Sequence, residues 1–299
     1  MKHLILMLSA LVAVSAGHAQ VAVHEKSPET KYAFTLASPR QTAAILYDAS
    51  DAAVVKRAAE LFAADVEAVT GRRPQVTSAT GETVPAVIVG TVGGSALIRR
   101  LSEAGKIDTA PLEGAWERYL IQTVANPLPG IRKALVIAGS DRRGAAYGLF
   151  TLSELIGVSP WYWWADVPVK KHAALHVDAP PTYSQTPSVR YRGIFLNDED
   201  WGLTPWASQT FEPERGNIGP RTYAKVCELL LRLKANYLAP AMHPVSTSFN
   251  QIPENKLVAD TFAIVMGSTH CEPLLLNTAS EWDTQTLSLI HISEPTRRS

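Results

Sequence analysis

Three times in the last third of this chain an apolar run leads straight into a cluster of polar residues. Residues 189–196 run into Asn197-Asp198-Glu199-Asp200, residues 236–242 into His243, and residues 262–267 into Ser268-Thr269-His270-Cys271-Glu272. Helical patterns lie between them, at 221–234 and 255–261. Short continuous apolar runs suit strands buried on both faces, as in a parallel sheet. Strand, helix, strand, helix, strand, with each polar cluster at the carboxyl end of its strand, is the layout in which a (β/α)8 barrel assembles an active site. The pattern points to an enzyme and to where its chemistry sits.

The two ends of the chain stand apart from this pattern. Met1-Lys2-His3 is a short basic start, residues 4–14 are an apolar run, and Ser15-Ala16-Gly17-His18-Ala19 is a small-residue exit. That order predicts a cleavable signal peptide over residues 1–19, and the run is too short to span a membrane. A periplasmic or secreted bacterial protein is expected. At the other end, residues 287–299 read like a translated transposon-type sequencing adapter, so the natural sequence is expected to stop being represented near Thr286. His291 and Glu294 receive no functional weight.

The formal net charge is zero, which gives no electrostatic footprint for nucleic acid or an anionic membrane. A neutral, sugar-like substrate is compatible with that balance. Two cysteines, Cys227 and Cys271, make no disulfide framework. Cys227 falls on an apolar helix face beside Leu230 and Leu231 and reads as a core residue.

Before the repeating third, strand and helix signals alternate over residues 33–176. Residues 43–47 and 86–90 read as strands, as do 119–124 and 134–138. Residues 51–70 read as a helix with Val54, Ala58, Leu61, Phe62, Val66 and Val69 on one face and Gly71 as its stop. A second helix covers 94–104, and a third covers 142–156, capped by Ser140 or Asp141 and ended at Gly157. These signals predict an amino-terminal α/β domain over residues 20–180. Two glycine clusters, Gly90-Thr91-Val92-Gly93-Gly94 and Gly139-Ser140-Asp141-Arg142-Arg143-Gly144, follow strands but have neither a dinucleotide nor a P-loop spacing. Tight-turn and capping roles are expected for both.

Trp161-Tyr162-Trp163-Trp164 places three of the seven tryptophans in four positions. Flat apolar rings match the C–H faces of sugars, and an indole N–H can donate to a hydroxyl. The run is either a wedge packing one domain on the next or a sugar contact, Trp164 included. Pro180, Pro181 and Pro187 mark a boundary that cannot be helical. Residues 181–286 have room for about three βα units, whereas a closed barrel needs on the order of 250 residues. The fold class is thus α/β: an amino-terminal α/β domain and then the first three or so units of an incomplete (β/α)8 barrel.

Each strand-end cluster also has a bland reading. Asn197-Asp198-Glu199-Asp200 is a site loop or a solvated turn, and His243 is a single histidine at a strand end. His270-Cys271-Glu272 shares the H-x-E of nucleobase deaminases but lacks the P-C-x-x-C that completes their zinc site. No metal and no cofactor is expected, although a loosely held cation is compatible with the sequence. Hydrogen bonding of His270 and Glu272 to substrate hydroxyls or a carboxylate is the better reading.

Several of these segments together resemble glycoside hydrolase family 115. They are Ile137-Ala138-Gly139-Ser140-Asp141-Arg142-Arg143-Gly144 with Tyr147-Gly148, then Ser159-Pro160-Trp161-Tyr162-Trp163-Trp164-Ala165-Asp166-Val167-Pro168. Tyr191-Arg192-Gly193-Ile194-Phe195-Leu196-Asn197-Asp198-Glu199, Pro240-Ala241-Met242 and Met266-Gly267-Ser268-Thr269-His270-Cys271-Glu272-Pro273 follow in the family's order. The resemblance implies a secreted α-glucuronidase that removes glucuronic acid, often 4-O-methylated, from its α-1,2 linkage to xylose in glucuronoxylan or aldouronic acid oligosaccharides, with inversion.

It also implies that Asn197, Asp198, His270 and Glu272 help hold the sugar, and it allows a homodimer of the full-length protein. Ala239 and His243 depart from tryptophans associated with that segment, and His243 would serve there as a hydrogen-bonding group. An inverting glycosidase needs two carboxyls roughly 6.5–9.5 Å apart, and the resemblance puts the general acid on a later strand. The piece is then expected to be inactive by itself, with its catalytic residues unknown. The competing readings are another two-domain exo-glycosidase of hexosaminidase-like layout and a non-catalytic carbohydrate-binding module.

Overall fold

The computed structural model describes residues 20–79, 85–197, 202–241, 243–268, 277 and 281. The signal-peptide segment 1–19 and the tail 287–299 lie outside them. In the amino-terminal unit the strands are β1 (Ala22–His24), β2 (Ala33–Ala37) and β3 (Ala44–Leu46), then helix α1 (Ala53–Thr70), β4 (Val76–Thr77), β5 (Ala86–Thr91) and helix α2 (Ala96–Glu103). They continue through β6 (Tyr119–Leu128), β7 (Ile131–Gly139), helix α3 (Arg142–Leu155), β8 (Leu175–Asp178) and β9 (Thr182–Tyr183). Six strands form one sheet in the order β4-β3-β5-β7-β6-β9. β3, β4, β5 and β7 run parallel, and β6 is antiparallel to both β7 and β9. β1, β8 and β2 form a separate antiparallel sheet.

Alternation along the central strands divides the core. Val87 and Val89 of β5 and Leu135 and Ile137 of β7 pack with α1 and α3 on one face. Ala86, Ile88, Ala134, Val136 and Ala138 pack with Leu97, Ile98 and Leu101 of α2 on the other. A period of two with both faces buried produces the continuous apolar runs seen in the sequence. On α1, Val54, Ala58, Phe62, Val66 and Val69 are buried, and Leu61 is half-buried against the same core. Gly71 ends α1 at φ 73°, the left-handed stop that glycine adopts without strain.

The strands at 119–124 and 134–138 prove longer than their apolar cores. They extend into a β6–β7 hairpin closed between Leu128 and Ile131, with Gly130 at φ 83°. Both glycine clusters act as turns and caps. Asp51 accepts from Thr91 N at 2.7 Å and Thr91 Oγ1 at 2.8 Å, and Asp48 accepts from Ala96 N at 2.7 Å. Asp141 accepts from Arg143 N and Gly144 N at 3.0 and 2.9 Å. These carboxylates occupy the amides a phosphate would use.

The second unit contains β10 (Gly193–Phe195), a one-turn helix α4 (Leu203–Trp206) continued as a π-turn (Ala207–Phe211), and helix α5 (Pro220–Arg232). Then come β11 (Tyr237–Ala239), helix α6 (Pro253–Thr261) and β12 (Val265–Met266). β10, β11 and β12 pair parallel in chain order, with α5 and α6 on the two connections. The core is continuous across both units, since Tyr223, Val226, Cys227, Leu230 and Leu231 of α5 and Leu238 of β11 join the cluster under α1 and α3.

One expectation is overturned at β10. Its apolar run predicts burial on both faces, yet Ile194 is 37% and Phe195 41% exposed. Val189 and Tyr191, which precede the paired segment, are exposed as well. Among the described residues β10 pairs with β11 alone, so it is an edge strand. Burial of a strand depends on neighbours that its own sequence does not contain.

Candidate active site

Register and burial separate the two faces of the three-stranded sheet. Ile194 pairs with Leu238, and Leu238 with Met266; Leu238 and Met266 pack into the helix-covered core. The opposite face therefore carries Gly193, Phe195, Tyr237, Ala239, Val265 and Gly267. Asn197, exposed just past the carboxyl end of β10, falls on this second face by alternation. Gly193 and Gly267 are required there: a Cβ on Gly193 would lie 1.8 Å from Tyr237 O, and one on Gly267 would lie 1.7 Å from the Tyr237 hydroxyl. The Tyr237 ring thus lies along the second face toward the strand ends.

The loops after β10 and β11 are fastened to each other. Thr204 Oγ1 is 3.0 Å from Ser246 Oγ, Asn217 Nδ2 donates to Val245 O at 3.2 Å, and Thr247 N donates to Asn217 Oδ1 at 3.0 Å. Glu212, 1% exposed, anchors the first loop on the amino end of α5. It accepts from Gly219 N and Arg221 N at 3.0 Å and from Thr222 N at 2.8 Å. A carboxylate at a helix amino terminus satisfies unpaired amides and the dipole together. His243 opens the second loop, exposed, with its carbonyl accepting from Ser246 N at 2.9 Å.

The tryptophan run is a wedge. Tyr162 Oη donates to Glu228 at 2.9 Å and Trp164 Nε1 to Lys225 O at 3.2 Å, both on α5. Trp163 and Trp164 also meet Trp206 and Phe211 of the loop after β10, with Trp163–Trp206 at 5.7 Å and Trp206–Phe211 stacked at 5.0 Å. All four rings are half-buried and line a cavity of about 790 Å³. Asn197 and His243 do not line it. The structure therefore brings Trp164 together with Trp206 and Phe211, which the sequence did not single out. A tryptophan in the loop after a barrel-type strand was the available signal for Trp206. Asp198, His270 and Glu272 lie outside the described residues.

Beneath the wedge is a buried ionic cluster. Arg232, 2% exposed, donates to both Asp65 oxygens at 2.8 and 3.0 Å and to Glu228 at 2.9 Å. Burial pushes the Tyr162 hydroxyl well above its ordinary value, and the neighbouring Glu228 charge adds to the shift. The Cys227 thiol is pushed up to about 12 by burial, which makes it an inert packing group.

A second cluster centres on Glu117, whose side chain is fully buried. It pairs with Arg143 Nε and Arg192 Nη2, both at 2.5 Å, and accepts from Asn236 Nδ2 at 2.5 Å. Arg192 and Asn236 precede β10 and β11, and Arg143 Nη1 donates to Ala263 O, just before β12, at 3.0 Å. These groups sit at the amino ends of the strands, opposite the candidate site. Among the described residues no three or more His, Cys, Asp or Glu side chains are grouped to hold a metal, and no helix is long and apolar enough to cross a membrane.

A parallel sheet whose first two carboxyl-end loops are tied together, with an aromatic wedge beside the first, defines an α/β protein with a candidate site at its strand ends. The model of glycosyl hydrolase family 115 matches residues 184–295. A solved structure of a family GH115 4-O-methyl-α-glucuronidase, BtGH115A, with specificity for decorated arabinogalactans, is 38% identical with a TM-score of 0.71. That match covers 84% of this chain and 31% of BtGH115A, so the chain spans about a third of that relative's length.

The chain belongs to glycosyl hydrolase family 115. CpGH84D (9% identity, TM-score 0.44, covering 82% of this chain and 35% of its own) is too loose a likeness to carry an argument. The same holds for the Flavobacterium johnsoniae chitobiase FjGH20 (15%, 0.43, covering 83% and 32%). No curated protein matches the chain.

Proposed function

We propose that this chain is the amino-terminal part of an inverting α-glucuronidase that releases glucuronic acid or its 4-O-methyl form from a decorated polysaccharide. The observation that carries the reading is 38% identity over 84% of the chain to a 4-O-methyl-α-glucuronidase. In it β10, β11 and β12 are the first three strands of a (β/α)8 barrel. Asn197, Asp198, His270 and Glu272 hold the uronate sugar, with His243 as a further hydrogen-bonding group. The general acid and base come from later strands, in keeping with the 31% of the relative's length that is matched. The enzyme is exported to the periplasm or beyond.

The substrate is glucuronoxylan and its aldouronic acids, with the α-1,2 bond to xylose as the one broken. The relative's specificity for decorated arabinogalactans makes that polymer the comparison to run. The test is expression of the complete reading frame from source DNA and assay on aldouronic acids, glucuronoxylan and glucuronic acid-decorated arabinogalactan. Release from aldouronic acids with an initial β-anomeric product supports the whole reading. Release from arabinogalactan alone overturns the substrate, and no release from any of them overturns the activity. This chain assayed alone is expected to release nothing.

A further inference from the structure

We propose that the aromatic cavity at the junction of the two units, which Asn197 and His243 do not line, is a carbohydrate subsite for the uncharged backbone of the polysaccharide. The proposal rests on the glycan-directed reading above and goes beyond it. Trp206 and Phe211 stack nearly parallel, 14° apart, and Trp163 stands edge-on to both at 5.7 and 5.2 Å. Trp164 completes the corner at 5.8 Å from Trp206. These rings are only half-buried, and the space they line, about 790 Å³, has the size of a small-molecule site.

The charges around the cavity select for a neutral ligand. Lys225, 5.0 Å over Trp163, is paired with Glu228 at 3.1 Å. Arg221, 4.8 Å over Phe211, is paired with Glu214 at 2.9 Å. Among the described residues the exposed carboxylate on the wall is Asp166, and the exposed Thr210 lines it as well. A carboxylate and a hydroxyl suit sugar hydroxyls, while the same carboxylate repels a uronate. Pyranose C–H faces supply the apolar match for the rings. The chemistry fits an uncharged β-linked pentose or hexose chain, from a xylan or from a galactan.

The experiment titrates the whole 299-residue chain with xylohexaose, a β-linked galacto-oligosaccharide and free glucuronic acid, read by tryptophan fluorescence and calorimetry. Saturable binding of a neutral oligosaccharide is expected, with glucuronic acid failing to compete; the better of the two neutral probes identifies the backbone. Trp206→Ala should weaken it roughly tenfold, about the energy of one lost aromatic face. Since that variant also loosens the wedge, Thr210→Arg at an exposed position serves as a steric block and should abolish binding with the melting temperature unchanged. Absence of saturable binding to either neutral probe, or unchanged binding in Thr210→Arg, overturns the subsite. Failure of the complete enzyme to release uronate, with oligosaccharide binding intact, would overturn the proposed activity and leave the subsite standing.

Discussion

The carboxylate of Glu117 and the guanidinium of Arg192 meet at 2.5 Å, joining the amino-terminal unit to the start of β10. Through Asn236 and Arg143 the same carboxylate also reaches the starts of β11 and β12. One buried acid in the first unit therefore sets the ends of all three parallel strands, and their carboxyl-end loops inherit that alignment.

Glu117→Ala should be strongly destabilising, because it leaves two guanidinium groups facing each other without their counter-charge. Removing one partner of a buried pair costs about 3–5 kcal/mol, and the partial exposure of Arg143 (18%) and Arg192 (24%) favours the lower end. Glu117→Gln keeps the hydrogen-bonding shape and should lose less. Urea unfolding of both variants checks this, and an alanine variant within about 1 kcal/mol of the parent would remove the clamp from the account.

Arg232 makes the stability depend on pH. Burial disfavours ionised Glu228, but the charges of Arg232 and Lys225 outweigh it and hold its pKa below the ordinary 4.5. Its contribution is thus present above pH 4.5 and is lost as the pH falls through the lower folded value. Burial pushes Asp65 above 3.8 despite the Arg232 pair, so its contribution runs the other way and erodes as the pH rises. Arg232→Met strands Asp65 and leaves Glu228 with Lys225 and Tyr162 alone, raises both acids, and should cost about 3–5 kcal/mol at pH 7. Relative to the parent, that variant should regain stability between pH 7 and pH 5; parallel pH profiles would count against this assignment.

Gly193→Ala and Gly267→Ala should differ in how they can be rescued. The first puts a methyl 1.8 Å from the Tyr237 carbonyl oxygen, which belongs to a paired strand and cannot yield. The second puts it 1.7 Å from the Tyr237 hydroxyl, at the end of a side chain. Each should cost roughly 1–3 kcal/mol by overpacking. Tyr237→Ala should relieve Gly267→Ala and leave Gly193→Ala as damaging as before, read as melting temperatures of the double variants.

Cys227, 1% exposed with its thiol raised to about 12, should resist alkylation at pH 8 in the folded protein. Labelling with iodoacetamide and peptide mapping should find Cys227 modified only under denaturing conditions. Rapid modification of Cys227 in the native state would mean that the α5 packing opens locally.

Local signals were well preserved in the sequence. The helix over 53–70 was legible because its apolar face, its length and its glycine stop agree, and α3 because Asp141 caps it. The strand-end pattern gave the parallel β10-β11-β12 order. The pairing reaches less far than the apolar runs, because each run includes flanking residues that have no ladder partner. The short sheet of β1, β8 and β2 was missed, since a three-residue strand has no periodicity to read.

The amino-acid sequence by itself determined which segments are helix and strand, which helix faces are apolar, and which side chains stand at the carboxyl ends of the strands. These properties depend on neighbours a few residues apart. Only the tertiary structure decided that β10 pairs with β11 alone among the described residues, that Glu117 reaches Asn236 across 119 positions, and that Arg232 reaches Asp65 across 167. It also turned the tryptophan run into a wedge against α5 with a cavity beside Trp206. Burial and ion pairing are properties of the space between elements, and periodicity along one element carries no record of what packs against it.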